Sequence, residues 1–254
     1  MALTGAHAPG ATPLSEEDVR GLKIESIVTQ GELNEAEAAN IIRGQEWALR
    51  SRTATLPDRL SDDYLQRLHV EMFGAVWKWA GEFRPVQTNI GVEPHRIRTD
   101  LRQLYDEVRG WLEYKSYPPD EIAIRMHYRV VTIHPFRNGN GRHARMLAHI
   151  AMLRHFKVEP VPWRGSYLRS DDENRKAYIA ALVEADNRNF GPLLEFARSK
   201  ESGSRKNRAT VGRSDEKALQ LLEVDEASVS DRRYPATQKE DRLPPALGRK
   251  SERQ

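Results

Sequence analysis

The sequence has 254 residues, of which 39% are hydrophobic and 30% are charged, so it holds enough apolar material for one sizeable core. The net charge is only +3, which does not by itself predict nucleic-acid binding and is compatible with ligands that carry phosphate. The absence of cysteine excludes disulfides, thiolate zinc sites and cysteine nucleophiles, and it fits a reducing compartment.

The distribution of apolar residues favours a cytoplasmic protein without a membrane partner. Residues 1–13 lack the basic patch and apolar run of a secretory signal. No stretch approaches the roughly 20 consecutive apolar residues that a membrane-spanning helix needs.

Helical periodicity dominates the middle of the chain. Ser61 opens the clearest helix, because it can cap the first turn and the apolar residues after it recur every three or four positions. The last helix of this region, which follows Asn140, is apolar on more than one side and is expected to be buried. Capping residues and apolar spacing together predict helices that begin near Asn34, Ser61, Thr99, Asp120, Asn140, Ser170 and Pro192.

Residues 82–97 break this helical pattern. Their apolar residues are separated by prolines, a glycine and an asparagine, which indicates a short hairpin or an extended flap. The predicted fold class is therefore all-α, a mainly helical bundle with a small β-hairpin flap. We expect an N-terminal segment at 1–33, a folded domain at 34–198 with its core at 61–198, and a charged, mostly disordered tail at 199–254.

The residues that carry chemistry lie together in the segment His134–Arg145. The glycines in Gly139-Asn140-Gly141 permit unusual backbone angles and close approach of a ligand to main-chain N–H groups. The helix that follows adds its N-terminal N–H groups and the positive end of its dipole, a combination that suits phosphate. Arg142 and Arg145 lie three residues apart on that helix and could grip successive phosphates, while His134 could take a proton from a hydroxyl.

Each of these features has a simpler interpretation. A Gly-Asn-Gly segment between two helices is usually only a turn, an arginine pair at helical spacing is usually a solvated face, and a lone histidine is more often structural. The combination of a base, a glycine-flanked turn, a helix start and paired arginines within twelve residues favours a site. A zinc site is not expected, because the spacings of the histidines do not put two on one helical turn; these histidines are His127, His134, His143, His149 and His155.

The same segment resembles the signature of Fic proteins, a helical family within the Fido fold: His-Pro-Phe, any residue, Asp or Glu, Gly-Asn-Gly-Arg, two residues, Arg. Only Asn138 departs from it. Trp79–Arg84 resembles the lead-in to the family's flap, and Tyr178 and Pro192-Leu193 resemble its closing helices. The whole chain also resembles a bacterial Fic subgroup called mobile mystery protein B.

This resemblance implies a role for each residue of the segment. His134 would be the general base, and Phe136 would anchor the loop. Gly139, Asn140 and Gly141 would hold the α-phosphate region of ATP. Arg142 would hold the β-phosphate and Arg145 the γ-phosphate, with Mg²⁺ bridging phosphates. The flap would align a target protein as an added strand through Thr88, Asn89, Ile90, Gly91 and Val92.

Two departures from the family pattern qualify these roles. Asn138 stands where the family has an acid that holds Mg²⁺, and an amide oxygen brings no negative charge. Many Fic proteins also carry an inhibitory helix whose glutamate pairs with the second arginine. The closest segment here, Ser26–Gly31, has Gln30 at that position. Either Glu32 substitutes for the missing glutamate, or residues 24–33 are a plain connector.

The resemblance implies a protein nucleotidyltransferase that moves AMP from ATP to a Ser, Thr or Tyr hydroxyl and releases pyrophosphate. A related phosphotransferase is the nearest alternative. A nucleotide-binding regulatory module, paired with a helix-turn-helix partner as in toxin–antitoxin systems, is the alternative from another class. No nucleic-acid partner is expected for the basic tail, because acids are interspersed in it.

Overall fold

The computed structural model describes residues 16–50, 54–165 and 172–200, and this part of the chain is mainly helical. Its nine α-helices are α1 (Glu16–Arg20), α2 (Gln30–Arg50), α3 (Leu56–Arg59), α4 (Asp62–Phe73), α5 (Ile97–Glu113), α6 (Pro119–Ile133), α7 (Asn140–Ile150), α8 (Asp172–Asp186) and α9 (Gly191–Arg198). The predicted all-α class is confirmed. The predicted cap at Ser170 and almost all of the predicted tail lie outside the described residues.

Helix α4 begins as its sequence predicts. The Tyr64 N–H donates to the Ser61 hydroxyl oxygen at 3.2 Å, and Asp62 and Asp63 occupy the first turn, where the helix dipole favours negative charge. Its apolar face, Leu65, Leu68, Met72 and Phe73, is buried in the main core. Helix α2 begins at Gln30, one turn before the predicted Asn34.

Helix α7 is packed by α6 along its length and also contacts α2 and α4. Every residue from His143 to Ile150 is buried, which confirms the expectation that this helix is enclosed on more than one side. It continues into a wider, π-helical turn at Ala151–Phe156. The start of α7 is thereby fixed against three other helices.

A second apolar cluster lies where α6 and α7 meet α8 and α9. The Trp163 indole is fully buried there and is joined by Phe196 and Leu193 from α9 and by the alanines of α8. This cluster attaches the last two helices to the main bundle.

The flap at residues 82–93 differs from the predicted hairpin. No strand is present among the described residues. The flap contacts the loop after α6 through one antiparallel bridge, between Phe83 and Phe136, and through main-chain hydrogen bonds of Arg84 and Val92, but these do not form a ladder. The loop is closed by side chains, with the Thr88 hydroxyl donating to the Ile90 carbonyl at 2.5 Å and Gln87 Nε2 donating to the Gly91 carbonyl at 3.2 Å. Such short local bonds replace the ladder of a hairpin.

None of the described helices combines the length and the hydropathy that crossing a bilayer requires.

Several buried histidines should make the fold sensitive to mild acid. Burial lowers the pKa of His134, His143 and His149 to about 4 and puts the pKa values of His69 and His127 well below 6.5. In the unfolded chain these groups take up protons near pH 6.5, whereas the folded chain takes them up only at lower pH, which is about 4 for His134, His143 and His149. The free energy of unfolding is therefore largest above pH 6.5. It decreases as the pH falls towards 4, by up to about 1.4 kcal/mol per pH unit for each histidine.

We expect the urea midpoint of unfolding, followed by circular dichroism, to be clearly lower at pH 5.0 than at pH 7.5. His149→Leu should reduce the difference, because it removes one of these protonation sites. Equal midpoints at the two pH values would contradict the prediction.

Candidate active site

The segment His134–Gly139 connects α6 to α7 and turns the chain sharply. His134 ends α6 in the left-handed conformation, with φ 54° and ψ 59°, and Gly139 precedes α7 with φ 78°. A left-handed backbone is disfavoured for a residue with a Cβ, so the surroundings must hold His134 in place. The turn places His134 at the end of one helix, six residues before the first residue of the next.

The His134 imidazole is 5% exposed, and its Nδ1 lies 3.3 Å from the Val131 carbonyl oxygen. A proton on Nδ1 donates to that carbonyl, which assigns the basic lone pair to Nε2. Burial is the main reason that the pKa of His134 falls to about 4, and the positive charge of Arg84 lowers it further. The imidazole is therefore neutral at physiological pH, which is the form that can accept a proton.

Phe136 and Asn140 close the loop from inside. The Phe136 N–H donates to Asn140 Oδ1 at 2.9 Å, and Asn140 Nδ2 donates to the Phe136 carbonyl at 2.8 Å. The Phe136 ring is fully buried and stacks on the His69 ring with centroids 3.9 Å apart. The side chain of Asn140 thus binds the loop itself, so any contact of this residue with a phosphate would be made by its main-chain N–H.

The two glycines of the loop have different surroundings. A Cβ added to Gly139 would lie 2.7 Å from the Phe73 ring, and its positive φ also disfavours a side chain. A Cβ added to Gly141 would meet nothing within 4 Å. Gly139 is needed for the turn, whereas Gly141 leaves open space beside the first turn of α7. This space fits a ligand that approaches the N–H groups of the helix.

Arg142 points towards α2, where its guanidinium forms a 2.6 Å ion pair with Glu37. It also lies 5.0 Å from the centroid of the Phe73 ring. Glu37 is 4% exposed, and its other oxygen accepts a hydrogen bond from the Trp77 indole at 2.7 Å. The first arginine of the motif is therefore already bound to an internal carboxylate.

Arg145 does not share the partners of Arg142 and instead contacts two aromatic side chains that follow it in the sequence. Its guanidinium lies 4.6 Å from the Tyr178 ring centroid and 5.5 Å from that of Trp163. The Tyr178 hydroxyl is 3.1 Å from His127 Nε2, which fixes the ring that covers the arginine. Burial raises the pKa of Tyr178. The sequence predicts that Arg142 and Arg145 grip successive phosphates, and in this structure each is held by different neighbours.

Asn138 is held by the main chain of the next residue and by His69. Its Oδ1 accepts from the Gly139 N–H at 2.6 Å, and its carbonyl oxygen lies 3.1 Å from His69 Nε2. In the described ranges, no three histidine or acidic residues are grouped so as to bind a metal. A neutral amide oxygen that already accepts a hydrogen bond does not fit a carboxylate-type Mg²⁺ ligand.

Glu32 caps the start of α2. It accepts from the N–H groups of Val28 and Thr29, both at 2.9 Å, and the Thr29 hydroxyl accepts from the Glu32 N–H at 3.2 Å. This arrangement is a capping box. Gln30, nearby, donates to the Asn34 side chain at 2.9 Å.

Three side chains around the motif were not predicted to belong to the site: Glu37, His69 and Arg84. In the sequence, Glu37 stands three residues after the candidate cap Asn34, and His69 lies on the apolar face of the helix that Ser61 opens. For Glu37 and His69, the sequence offered one signal, because each is a polar side chain on an otherwise apolar helix face. Arg84 donates to the His134 carbonyl at 2.6 Å, and only its position in the lead-in to the flap drew attention to it.

The Fic/DOC family model matches residues 59–152, which include α4 to α7 and the whole loop. Among curated relatives, protein adenylyltransferase fic-1 of Caenorhabditis elegans is 32% identical over 172 residues, which cover 63% of this chain and 31% of the relative. Protein adenylyltransferase Fic of Nematostella vectensis is 29% identical over 164 residues, 62% of this chain and 36% of the relative. The chain spans about a third of the length of these relatives.

Solved structures show the same fold. Fic-1 from C. elegans (residues 134–508) aligns with a TM-score of 0.51 and 24% identity, over 84% of this chain and 58% of that one. The BepC protein of Bartonella tribocorum, solved with bound AMPPNP, aligns with a TM-score of 0.52 and 18% identity. The alignment covers 72% of this chain and 97% of the Bartonella chain. These structures show that the fold is shared, and the family match over the helices that build the site assigns residues 59–152 of the chain to a Fic-family domain.

Proposed function

We propose that this chain transfers AMP from ATP to a Ser, Thr or Tyr hydroxyl of a target protein. The observation that carries the proposal is the neutral His134 imidazole at the end of α6, followed six residues later by the start of α7, whose side at Gly141 is open. The curated relatives named protein adenylyltransferase support the same reaction. The AMPPNP bound to the Bartonella protein supports a nucleotide as the donor.

In the proposed reaction the target hydroxyl oxygen attacks the α-phosphorus of ATP. His134 Nε2 takes the hydroxyl proton, the new bond joins the target oxygen to phosphorus, and the bond from phosphorus to the β-phosphate oxygen breaks. Pyrophosphate leaves and AMP stays on the target. The Val131 carbonyl binds the Nδ1 proton and so keeps Nε2 as the acceptor. In-line positioning and neutralisation of phosphate charge would supply the rest of the rate enhancement.

The phosphates would lie against the first turn of α7. A Cβ added to Gly141 would meet no atom within 4 Å, so there is room beside this turn, and its main-chain N–H groups are the donors that we assign to the α-phosphate. We assign the β-phosphate to Arg142 and the γ-phosphate to Arg145, since a guanidinium can bind phosphate through two hydrogen bonds. Arg142 must then exchange Glu37 for phosphate, and Arg145 must turn its donors away from the aromatic rings.

We further propose that the flap residues Thr88–Val92 receive the target chain. Ile90 is 44% exposed, and Val86 next to the loop is 53% exposed, so apolar side chains face outward beside the catalytic histidine. The loop is an irregular segment in the unbound protein, and an incoming strand would supply the partner that it lacks for regular pairing.

Mg²⁺ would arrive with ATP and neutralise phosphate charge. Asn138 would offer it one amide oxygen, which is a weak addition to the phosphate ligands, and no step of the proposed mechanism depends on it. A separate regulatory protein, a bacterial toxin–antitoxin setting and membership of the mobile mystery protein B subgroup also stay proposals, since the curated relatives named above are animal proteins.

Incubation with ATP labelled at the α- or the γ-phosphate tests the proposed reaction. Label from the α position should appear on protein, and label from the γ position should not. His134→Ala should reduce transfer by at least about 100-fold, because a general base contributes 10²–10⁴-fold. His155→Ala is the matched control, since that ring contacts the Leu56 N–H at 3.3 Å, away from the loop. Transfer of γ-label would indicate a phosphotransferase, and binding of ATP without any transfer would indicate a binding module.

The Glu37–Arg142 pair generates a second prediction. Glu37→Gln keeps the shape of the side chain and an acceptor for the Trp77 indole but removes the charge that competes with phosphate. We expect the KM for ATP to fall by up to about tenfold, which corresponds to about 1.4 kcal/mol. Glu32→Gln is the control, because Glu32 only caps α2. An unchanged KM in the Glu37 variant would show that the ion pair does not oppose nucleotide binding.

Asn138→Asp tests the role of this position in metal binding. A carboxylate there should bind Mg²⁺ more tightly than the amide does, so half-maximal α-label transfer should need less Mg²⁺. The measurement is a Mg²⁺ titration of both forms at saturating ATP. Metal-independent transfer in both proteins would exclude residue 138 as a ligand.

A further inference from the structure

Arg84 is a buried arginine, 1% exposed, whose hydrogen-bond partners are mainly main-chain carbonyls. Its Nε donates to the His134 carbonyl at 2.6 Å, and one terminal nitrogen donates to the Val86 carbonyl at 2.8 Å. The other terminal nitrogen donates to the Val92 carbonyl and lies 3.5 Å from the Ile133 carbonyl. A single guanidinium therefore joins the end of α6 to both ends of the flap.

The main chain reinforces this junction. The Arg84 N–H donates to the Pro135 carbonyl at 2.9 Å, and the Val92 N–H donates to the Ile133 carbonyl at 3.3 Å. The carbonyls of Ile133, His134 and Pro135 are thus all bound from the flap side. The last carbonyls of a helix have no partners within it, and here Arg84 supplies some of those partners.

Gly91 brings the flap into direct contact with the catalytic residue. A Cβ at position 91 would lie 2.6 Å from the His134 Cβ, 2.7 Å from Arg84 Nη2 and 3.1 Å from the Ile133 carbonyl. The φ of Gly91 is +108°, which also disfavours a side chain. Flap and histidine are packed so closely here that neither can shift by much alone.

We propose that Arg84 is a positioning residue, which holds the left-handed main chain of His134 and the target-docking flap as one unit. The five donors of a guanidinium in a fixed fork suit several carbonyls at once, which a lysine cannot match. A target strand that pulls on the flap would then move the base with it, so that docking and proton transfer use the same geometry. The effect of Arg84 on catalysis rests on the proposed function, whereas the junction that it makes between the flap and His134 does not.

Hydrogen–deuterium exchange tests the structural content without any reference to activity. Arg84→Gln should speed exchange of amides in residues 86–92 and in residues 133–135, and Arg84→Lys should do so less. Gly91→Ala, which displaces Arg84 sterically, should affect the same two segments. The matched control is Arg59→Gln, since Arg59 is also buried and donates to main-chain carbonyls, those of Ala54 and Thr55, at a distance from the flap.

Kinetics test the catalytic consequence. The kcat for α-label transfer should fall by about 100-fold in Arg84→Gln and by less in Arg84→Lys, because small misplacement of a reacting group costs that much. The KM for ATP should stay within about twofold, since Arg84 is not assigned to the nucleotide. Arg59→Gln should lower the melting temperature while leaving kcat unchanged.

Two results would overturn the inference. One is unchanged exchange of both segments in a folded Arg84→Gln protein, and the other is faster exchange in the flap alone with residues 133–135 unaffected. If the wild-type protein transfers no label from ATP, the proposed function fails, and the exchange measurement alone still decides whether Arg84 joins the two segments.

Discussion

The pair of hydrogen bonds between the Asn140 side chain and the main chain of Phe136 is the constraint on which the site depends. It closes the loop before α7 begins, and it uses a side chain on the first residue of that helix, so the loop and the helix start cannot separate. Because α7 is buried against α6, α2 and α4, the closed loop inherits the rigidity of the bundle. The histidine and the open helix end are therefore held in a fixed relation before any ligand arrives.

The charges around this frame are balanced from within the protein. One arginine of the motif is neutralised by Glu37, and the other is covered by the rings of Tyr178 and Trp163. A buried guanidinium needs such partners, since an unpaired charge is costly in a protein interior. A polyphosphate must therefore offer more than these internal contacts do. The arrangement without ligand therefore favours ligands with several negative charges over ligands with few.

The sequence predicted much of this structure because local signals were strong. Ser61 and the acids that follow it determined the start of α4, and the apolar spacing after Asn140 predicted a fully enclosed helix. The flap was predicted less well. Alternating apolar residues suggested a hairpin, but local side-chain bonds of Gln87 and Thr88 close the loop instead. Alternation alone does not reveal whether a second strand is available to pair.

The partners of the two arginines could not be predicted from sequence either. Glu37 lies 105 residues from Arg142, and Tyr178 lies far from Arg145 in the other direction. Spacing on one helix describes which residues share a face, and three residues apart is still about 60° from perfect alignment. Which neighbouring helix each guanidinium meets depends on tertiary packing that no local pattern contains.

Arg137 extends the reach of the site to the beginning of the described chain. Its guanidinium pairs with Asp18 at 3.0 Å and with Glu17 at 3.3 Å, both on α1, so a residue inside the catalytic loop is anchored by a helix that precedes the Fic-family domain. Shortening the protein from its amino end would therefore cut an anchor as well as remove a candidate inhibitor. Any gain or loss of activity in such a shortened protein would combine both effects, and single substitutions at Asp18 would be needed to separate them.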